Sequence, residues 1–169
     1  MELNKNLRKW GYKISSGDVF EVPLNNNRKG YFQFLFKDDF HLAGHLIRAF
    51  DLIVENTINP ELIDIISSNV KFHSNTRVLQ GLRDKLWNKI GNVELPADFE
   101  KPYLKYTTDN CMGIEVSENW TIVQAGTDFR KFIGKLDNVT RKLDDSGVFP
   151  PFAIVQWLET GWHGFKKPE

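Results

Sequence analysis

Apolar and polar residues alternate along the first quarter of the chain, and this period of two predicts β-strands. In the interval 18–24 the apolar residues fall on one face, and three phenylalanines alternate in the same way over 31–37. The polar loop 25–30 between them contains three asparagines and one glycine, which are turn formers, so the two strands are predicted to form a hairpin. Pro23 cannot donate to a β-ladder, and we therefore expect it where the first strand has a free edge.

Further short strands are predicted downstream. A third apolar stretch covers 46–54, and Gly44 in its approach favours a bulge or a bend. Residues 62–66 follow Pro60 and fit a helical turn as well as a short strand, so the structure of 60–69 is left open. Strands are also predicted at 70–79, 103–107, 113–116 and 120–125, with a strand end and a turn at 87–92.

The apolar period becomes helical after residue 128, where Asp128 is a suitable N-cap and Gly147 a suitable stop. The residues at helical spacing are Phe129, Phe132, Ile133, Leu136, Val139 and Leu143. A second helix is predicted at 152–159, between Pro151 and Gly161. The predicted fold is α+β: a bent, mainly antiparallel sheet, barrel-like in its N-terminal part, with two C-terminal helices. We expect one domain over 1–169, mainly β in 16–125 and mainly helical in 126–169.

Composition and charge narrow the class of protein. The 169 residues suffice for one sizeable core, and 41% hydrophobic with 26% charged residues is ordinary for a globular protein. Because 22 basic residues balance 22 acidic ones, no overall field attracts nucleic acid or an anionic membrane. Thirteen phenylalanines and five tryptophans indicate an aromatic core or an aromatic contact surface.

Cysteine usage and apolar runs indicate the compartment. A single cysteine, Cys111, excludes an internal disulfide and favours a reducing environment. The first thirteen residues lack the apolar stretch of a signal peptide, and no run approaches the roughly 20 apolar residues of a membrane span. We therefore expect a cytoplasmic protein without a membrane partner.

Residues that could carry chemistry are few. His41 and His45 have i, i+4 spacing beside Asp38 and Asp39, but on a strand such positions lie roughly 13 Å apart, so no metal site is predicted. Cys111 lies between polar and apolar residues typical of a strand start and fits a buried small hydrophobe. The chain contains no nucleophile elbow, phosphate loop or dinucleotide turn, so we expect neither a catalytic residue nor a cofactor.

Two aromatic stretches have alternative interpretations. The octamer 29–36 begins like an RNA-recognition motif. However, Phe32 stands where the motif needs a small residue, and Gln33 stands where it needs an aromatic residue that stacks on a base. We therefore expect the phenylalanines of this stretch to pack in the core, and we expect no nucleic-acid partner. At the C-terminus, Trp157 and Trp162 form either an aromatic contact patch or a lid over the core.

Three pieces of the sequence resemble the immunity protein 26 family of bacterial polymorphic toxin systems. The first runs from Gly17-Asp18 through the alternating strand to Pro23-Leu24 and on to Gly30-Tyr31. The second is the segment Trp87-Asn88-Lys89-Ile90-Gly91-Asn92, and the third is Pro102 with Tyr103 and Lys105 after it. The resemblance covers roughly residues 16 to 106.

This resemblance implies a non-catalytic inhibitor that binds and neutralises a cognate toxin domain. Within it, the residues with a scaffold role are Gly17, Asp18, Pro23, Leu24, Trp87, Ile90, Gly91 and Asn92. Toxin contacts are predicted at Asp38, Asp39, Trp157 and Trp162, because an aromatic anchor beside carboxylates can fill a pocket and pair a basic residue. The sequence leaves the oligomeric state open.

Two other functions stay open. A small-barrel endoribonuclease toxin of a toxin–antitoxin pair has a similar opening, and Arg48 is the residue that it would use. A ligand-binding β-domain would use Trp10, Tyr12, Tyr31 and Trp162 as a stacking face.

Overall fold

A computed structural model describes residues 11–41, 43–109 and 116–161 of the protein. Within these ranges the structure is mostly β-sheet with three short helices. The strands are β1 Asp18–Leu24, β2 Arg28–Asp38, β3 Gly44–Phe50, β4 Val54–Glu55, β5 Val70–Thr76, β6 Asn88–Asn92, β7 Tyr103–Thr107, β8 Trp120–Gln124, β9 Arg130–Gly134, β10 Asp144–Asp145 and β11 Val148–Phe149. The helices are α1 Leu62–Ser67, α2 Val78–Arg83 and α3 Pro151–Thr160, and Thr140–Lys142 is a single 3-10 turn.

The first sheet has the order β11-β5-β3-β2-β1-β6, with β4 paired to the start of β2. Its pairs are antiparallel except for β11 beside β5. The predicted hairpin of β1 and β2 is confirmed, with Asn26 and Asn27 at positive φ in its turn. β6 pairs with β1 only as far as Glu21, so Pro23 lies beyond the end of that ladder, at a free edge as predicted.

The second sheet has the order β10-β7-β8-β9, and its one parallel pair is β10 with β7. The strands predicted at 103–107 and 120–125 are confirmed as β7 and β8. The strand predicted at 113–116 lies outside the described residues except for its last position.

The first sheet buries apolar residues on both of its faces. One face packs against α2, α3 and Trp87, and its core includes Phe20, Phe32, Phe72 and Trp157. The other face carries two clusters. The first packs against α1 and consists of Val19, Tyr31, Phe50 and Ile65. The second joins the first sheet to the second sheet and consists of Leu35, Leu46, Leu104, Val123 and Ala125. The protein is therefore layered around a central sheet.

The barrel-like N-terminal part predicted above is wrong. Both sheets are open, and the first ends in β11 and β6. The physical reason is that a small barrel needs one inward apolar face, whereas Val19, Tyr31 and Leu35 point to the opposite face and are also buried. A sheet with two apolar faces is covered by further layers instead of closing on itself.

The first of the two predicted C-terminal helices is also wrong. Residues 128–143 form β9, a loop and the 3-10 turn. Gly134 has a φ of 73°, which ends β9, and the Asp137 carboxylate accepts the backbone N–H groups of Val139 (2.9 Å) and Thr140 (2.7 Å). A side chain that satisfies local amides in this way competes with helix formation.

The second C-terminal helix is confirmed as α3. Pro151 occupies its first turn, and Gly161 takes the left-handed conformation after it, with a φ of 75°. Residues 62–67, left open by the sequence, form α1. Among the described residues, no helix has the length and the apolar character needed to cross a membrane.

Candidate partner-binding surface

The turn before β1 depends on Gly17. Its φ of 89° lies in the left-handed region, and a Cβ at this position would overlap the carbonyl oxygen of Val93. The Gly17 N–H donates to the Phe34 carbonyl (2.9 Å), and its own carbonyl accepts the Val93 N–H (3.0 Å). Gly17 thereby fixes the start of β1 between β2 and the segment after β6.

Asp18 organises the polar residues around this turn. Its carboxylate is fully buried and accepts the Ser15 N–H (2.8 Å) and the Asn92 side-chain amide (2.8 Å). The Lys89 ammonium group lies 2.7 Å from the same carboxylate. A buried carboxylate needs such partners because its desolvation is otherwise costly, so Asp18, Lys89 and Asn92 form one connected network.

The other motif residues pack or turn the chain. Trp87 is fully buried and its indole N–H donates to the Val78 carbonyl (3.0 Å). A Cβ on Gly91 would overlap the Leu62 side chain of α1. Leu24 belongs to the core, whereas Pro23 and Ile90 are exposed, and the scaffold role of the motif stays a prediction.

An open cleft of about 630 Å³ lies against the Asp18 network, and we call it the motif cleft. Its lining residues are Ser15, Ser16, Asp18, Lys89, Asn92, Glu94 and Leu95. Lys89 is paired with Asp18, while Glu94 is exposed on the rim. The motif cleft is therefore a polar concavity that can accept a basic group through Glu94.

The turn between β2 and β3 separates the two predicted acidic contacts. Asp38 is buried, and its Oδ1 accepts the backbone N–H groups of Phe40 (3.1 Å) and His41 (3.3 Å). Asp39 is exposed and forms an ion pair with Lys37, and the Phe40 ring beside it is 60% exposed. We call Asp39 and Phe40 the turn patch. Sequence reasoning missed Phe40, although an aromatic residue inside an Asp-Asp turn was a usable signal.

The motif cleft and the turn patch lie at the same end of the first sheet. β1 begins where β2 approaches its end, since the two strands are antiparallel, and the Ser16 hydroxyl donates to the Leu35 carbonyl (2.6 Å). From Leu35 to the turn patch is four to five residues along β2, roughly 13–17 Å. One interface of ordinary size, about 800 Å² per partner, can include both.

The two predicted tryptophan contacts have different outcomes. Trp157 is 5% exposed and packs edge-on against Phe149 (4.7 Å between ring centroids) and Phe72 (5.7 Å). This is the core lid that the sequence left as the alternative, so Trp157 offers no exposed anchor. Trp162 lies outside the described residues.

Arg48 lies in a structural network within the sheet. Its Nε and Nη2 donate to the Gln33 side-chain oxygen (2.9 and 2.7 Å), and its guanidinium stacks on the rings of Phe50 and Phe99. Burial lowers the pKa of Arg48 from its ordinary value. Gln33 in turn donates to the carbonyl oxygens of Gly17 (3.0 Å) and Val93 (2.7 Å). Arg48 thus supports the turn that precedes β1.

His45, considered in the sequence analysis together with His41 as a possible metal ligand, has partners within the sheet. His45 lies on the face of Phe34 and packs edge-on against that ring, with 5.4 Å between the ring centroids, and its Nδ1 accepts the Val78 N–H (3.1 Å). Burial first, and the charge of Lys37 second, lower the pKa of His45. Within the described ranges, no group of three or more His, Cys, Asp or Glu side chains is arranged to hold a metal ion. Cys111 is outside those ranges.

Comparison with known proteins gives one match. The family model for immunity protein 26 matches residues 15–111, more than half of the chain. The match contains β1 to β7, the motif cleft and the turn patch. No curated protein and no solved structure matches the chain significantly.

Proposed function

The chain belongs to the immunity protein 26 family, and from this premise we propose that it binds and neutralises a cognate bacterial toxin domain without catalysis of its own. Membership of the family is the observation that carries the proposal. Such a protein acts by occupying its target, so it works in the cytoplasm of the cell that makes the toxin and needs no cofactor.

The placement of Arg48 supports binding over ribonuclease chemistry. A catalytic arginine must reach the scissile phosphate, whereas two of the Arg48 nitrogens donate to Gln33 and the guanidinium is stacked between aromatic rings. This network holds Gly17 and Val93 in place and is already explained by the fold. A structural explanation is therefore available for the residue on which the nuclease hypothesis depends.

We assign the toxin contact to the end of the first sheet that carries the turn patch and the motif cleft. Phe40 supplies an exposed aromatic anchor of the kind that dominates binding energy in protein interfaces. Asp39 lies beside it, and its exposed ion pair with Lys37 contributes little stability, so the carboxylate can re-pair with a basic residue of the toxin. Glu94 on the cleft rim adds a second acceptor for such residues.

The test is co-expression with the toxin domain encoded beside this gene, followed by measurement of growth and of the dissociation constant. Wild-type protein should restore growth and form a stable complex. Phe40→Ala should weaken binding by about 2 kcal/mol, roughly thirtyfold, with an unchanged melting temperature, because the ring is exposed. Binding by Phe40→Ala equal to wild type would remove the turn patch from the interface.

Phe132→Ala is the matched control, since this ring is 65% exposed on β9 in the other sheet. It should leave the affinity unchanged, and a loss at Phe132 alone would move the contact to the second sheet. A failure of the wild-type protein to bind or protect against any neighbouring toxin domain would contradict the function itself. Cleavage of RNA by repurified protein, abolished in Arg48→Ala, would establish the nuclease instead.

A further inference from the structure

Buried polar atoms without partners collect in one part of the described structure. Six side-chain nitrogen and oxygen atoms are sealed from solvent and have no hydrogen-bond partner there, and five of them belong to Asp38, His41 and Asn75. They are Asp38 Oδ2, both ring nitrogens of His41, and Oδ1 and Nδ2 of Asn75. Native proteins rarely leave such atoms unpaired, because each loses its hydrogen bonds to water without replacement, and an unpaired carboxylate is the most costly case. The concentration of five such atoms needs a physical reason.

Asp38, His41 and Asn75 all lie near Gly44, at the turn between β2 and β3. Asp38 lies directly opposite Gly44 in the β2–β3 ladder, so both point to the same face. A Cβ built on Gly44 would lie 2.9 Å from the Cβ of Asn75 and 3.3 Å from its Cγ, so Asn75 flanks the other side of Gly44. His41 belongs to the turn that connects Asp38 to Gly44, and its N–H donates to Asp38 Oδ1. A side chain at position 44 would clash with Asn75, so the glycine lets Asn75 pack directly against the β2–β3 ladder beside Asp38.

We propose that Asp38 Oδ2, Asn75 Oδ1 and a ring nitrogen of His41 bind one divalent metal cation beneath the β2–β3 turn. All three atoms offer lone pairs, and the carboxylate supplies negative charge, so a cation satisfies them together. Metal–ligand distances of about 2.0–2.3 Å are shorter than the 2.8 Å of a hydrogen bond to water. Atoms that are closed to a water molecule can therefore still enclose an ion.

The ligand set determines which cations fit. One imidazole nitrogen with two oxygen atoms favours Zn²⁺ or Mn²⁺ over Mg²⁺ and Ca²⁺, which prefer oxygen alone. The turn above the site is exposed at Asp39 and Phe40, so this side of the site lies nearest to solvent. The site differs from the histidine pair of the sequence analysis, because His45 lies on the other face of β3.

The experiment uses the full chain after treatment with EDTA and dialysis, with no toxin present. Zn²⁺, Mn²⁺, Mg²⁺ and Ca²⁺ are titrated separately by calorimetry and by thermal melting. We expect one equivalent of Zn²⁺ or Mn²⁺ to bind and, at a hundredfold excess over the dissociation constant, to raise the melting temperature by about 5 °C or more. No binding of any of the four cations by wild-type protein would overturn the proposal and leave hydrogen bonding within the site as the explanation.

Three variants localise the ion. Asp38→Asn keeps an oxygen for the Phe40 and His41 amides but removes the charge, and should weaken binding at least tenfold. Asn75→Asp adds a carboxylate at the ion and should strengthen binding severalfold. Asp39→Asn, next in sequence but exposed, should bind as wild type does. Equal affinity in Asp38→Asn, or weaker binding in Asn75→Asp, would place the ion elsewhere. The Asn75→Asp result still decides the matter if Asp38→Asn does not fold.

Discussion

Replacing Trp157 by alanine should unfold α3 from the central sheet rather than disturb an interface. The Trp157 side chain is 5% exposed and contacts the rings of Phe72 and Phe149 from within the largest core cluster. Loss of a buried tryptophan removes its transfer free energy and leaves a cavity, which together cost about 3–5 kcal/mol. For a chain of this length, that corresponds to a fall of about 10 °C in melting temperature.

Urea denaturation followed by far-ultraviolet circular dichroism measures this loss. Phe152→Ala is the matched control, because Phe152 is an aromatic residue of the same helix that is 63% exposed. It should change the free energy of unfolding by less than about 0.5 kcal/mol. Trp157→Phe keeps a ring in the site and should cost about 1–2 kcal/mol, so it gives a measurable value if the alanine variant does not fold.

The result that refutes this reasoning is specific. If Trp157→Ala keeps the wild-type midpoint and instead loses affinity for the toxin, Trp157 is an exposed anchor and α3 does not cover the sheet as described. If both the unfolding midpoint and the affinity fall, the affinity should be recalculated for the folded fraction of the protein. The corrected affinity should then equal the wild-type value. A residual loss after this correction would also contradict a purely structural role.

Two further changes test the core. Gly81→Ala should destabilise the fold by about 2 kcal/mol in urea titration, because its Cβ would overlap the buried Trp87 indole. Gly11→Ala is the control and should have no effect, because the space around Gly11 is open. Tyr31→Phe should leave stability at pH 7 unchanged or higher, since the buried hydroxyl has no hydrogen-bond partner in the described structure; a loss above about 1 kcal/mol would contradict this. Burial, with the charge of Glu21 second, raises the pKa of Tyr31 to about 12. The unfolded chain therefore loses this proton first, near pH 10, and wild-type stability should fall from there towards pH 12 by about 1 kcal/mol per pH unit, a slope that Tyr31→Phe lacks.

The sequence predicted the first hairpin correctly because its alternation and its asparagine turn are local signals. The alternation of Phe32 and Phe34 indicates one apolar face of β2, but the strand is buried on both faces. Tyr31 and Leu35 lie on the second face and make 31–36 a nearly continuous apolar run, which is typical of a strand covered on both sides. That run was the available evidence against a barrel.

The helical spacing from Phe129 to Leu143 was misleading for a different reason. Phe129 and Phe132 are largely exposed, so their spacing reflects no buried helix face. The breakers inside the interval, Gly134 and the turn-forming Asp137, carried the correct signal. In α3, by contrast, Trp157 belongs to an apolar stripe at helical spacing, and that stripe was the signal in the sequence that could have identified Trp157 as a core residue.

The candidate site was only partly predictable. Asp38 and Asp39 are adjacent in sequence, but one is buried and the other exposed, because the turn uses the first carboxylate to bind its own amides. The approach of Asn75 to Gly44 connects strands that are about thirty residues apart, and only the pairing of β3 with β5 brings them together. Single-sequence patterns contain no information on such a contact.

The stretch from β10 to β11 also has a consequence for folding during synthesis, because it pairs with both sheets near the end of the described chain. β10 completes the second sheet and, after two intervening residues, β11 extends the first. The residues 144–149 therefore connect both sheets, although they lie beyond the segment that the family model matches. A ribosome adds about 5–20 residues per second, and pairings between distant strands form late in folding. Neither sheet is complete until these residues emerge, so we expect the full set of strand pairings, and with it the toxin binding proposed above, only after residue 149 has left the ribosome.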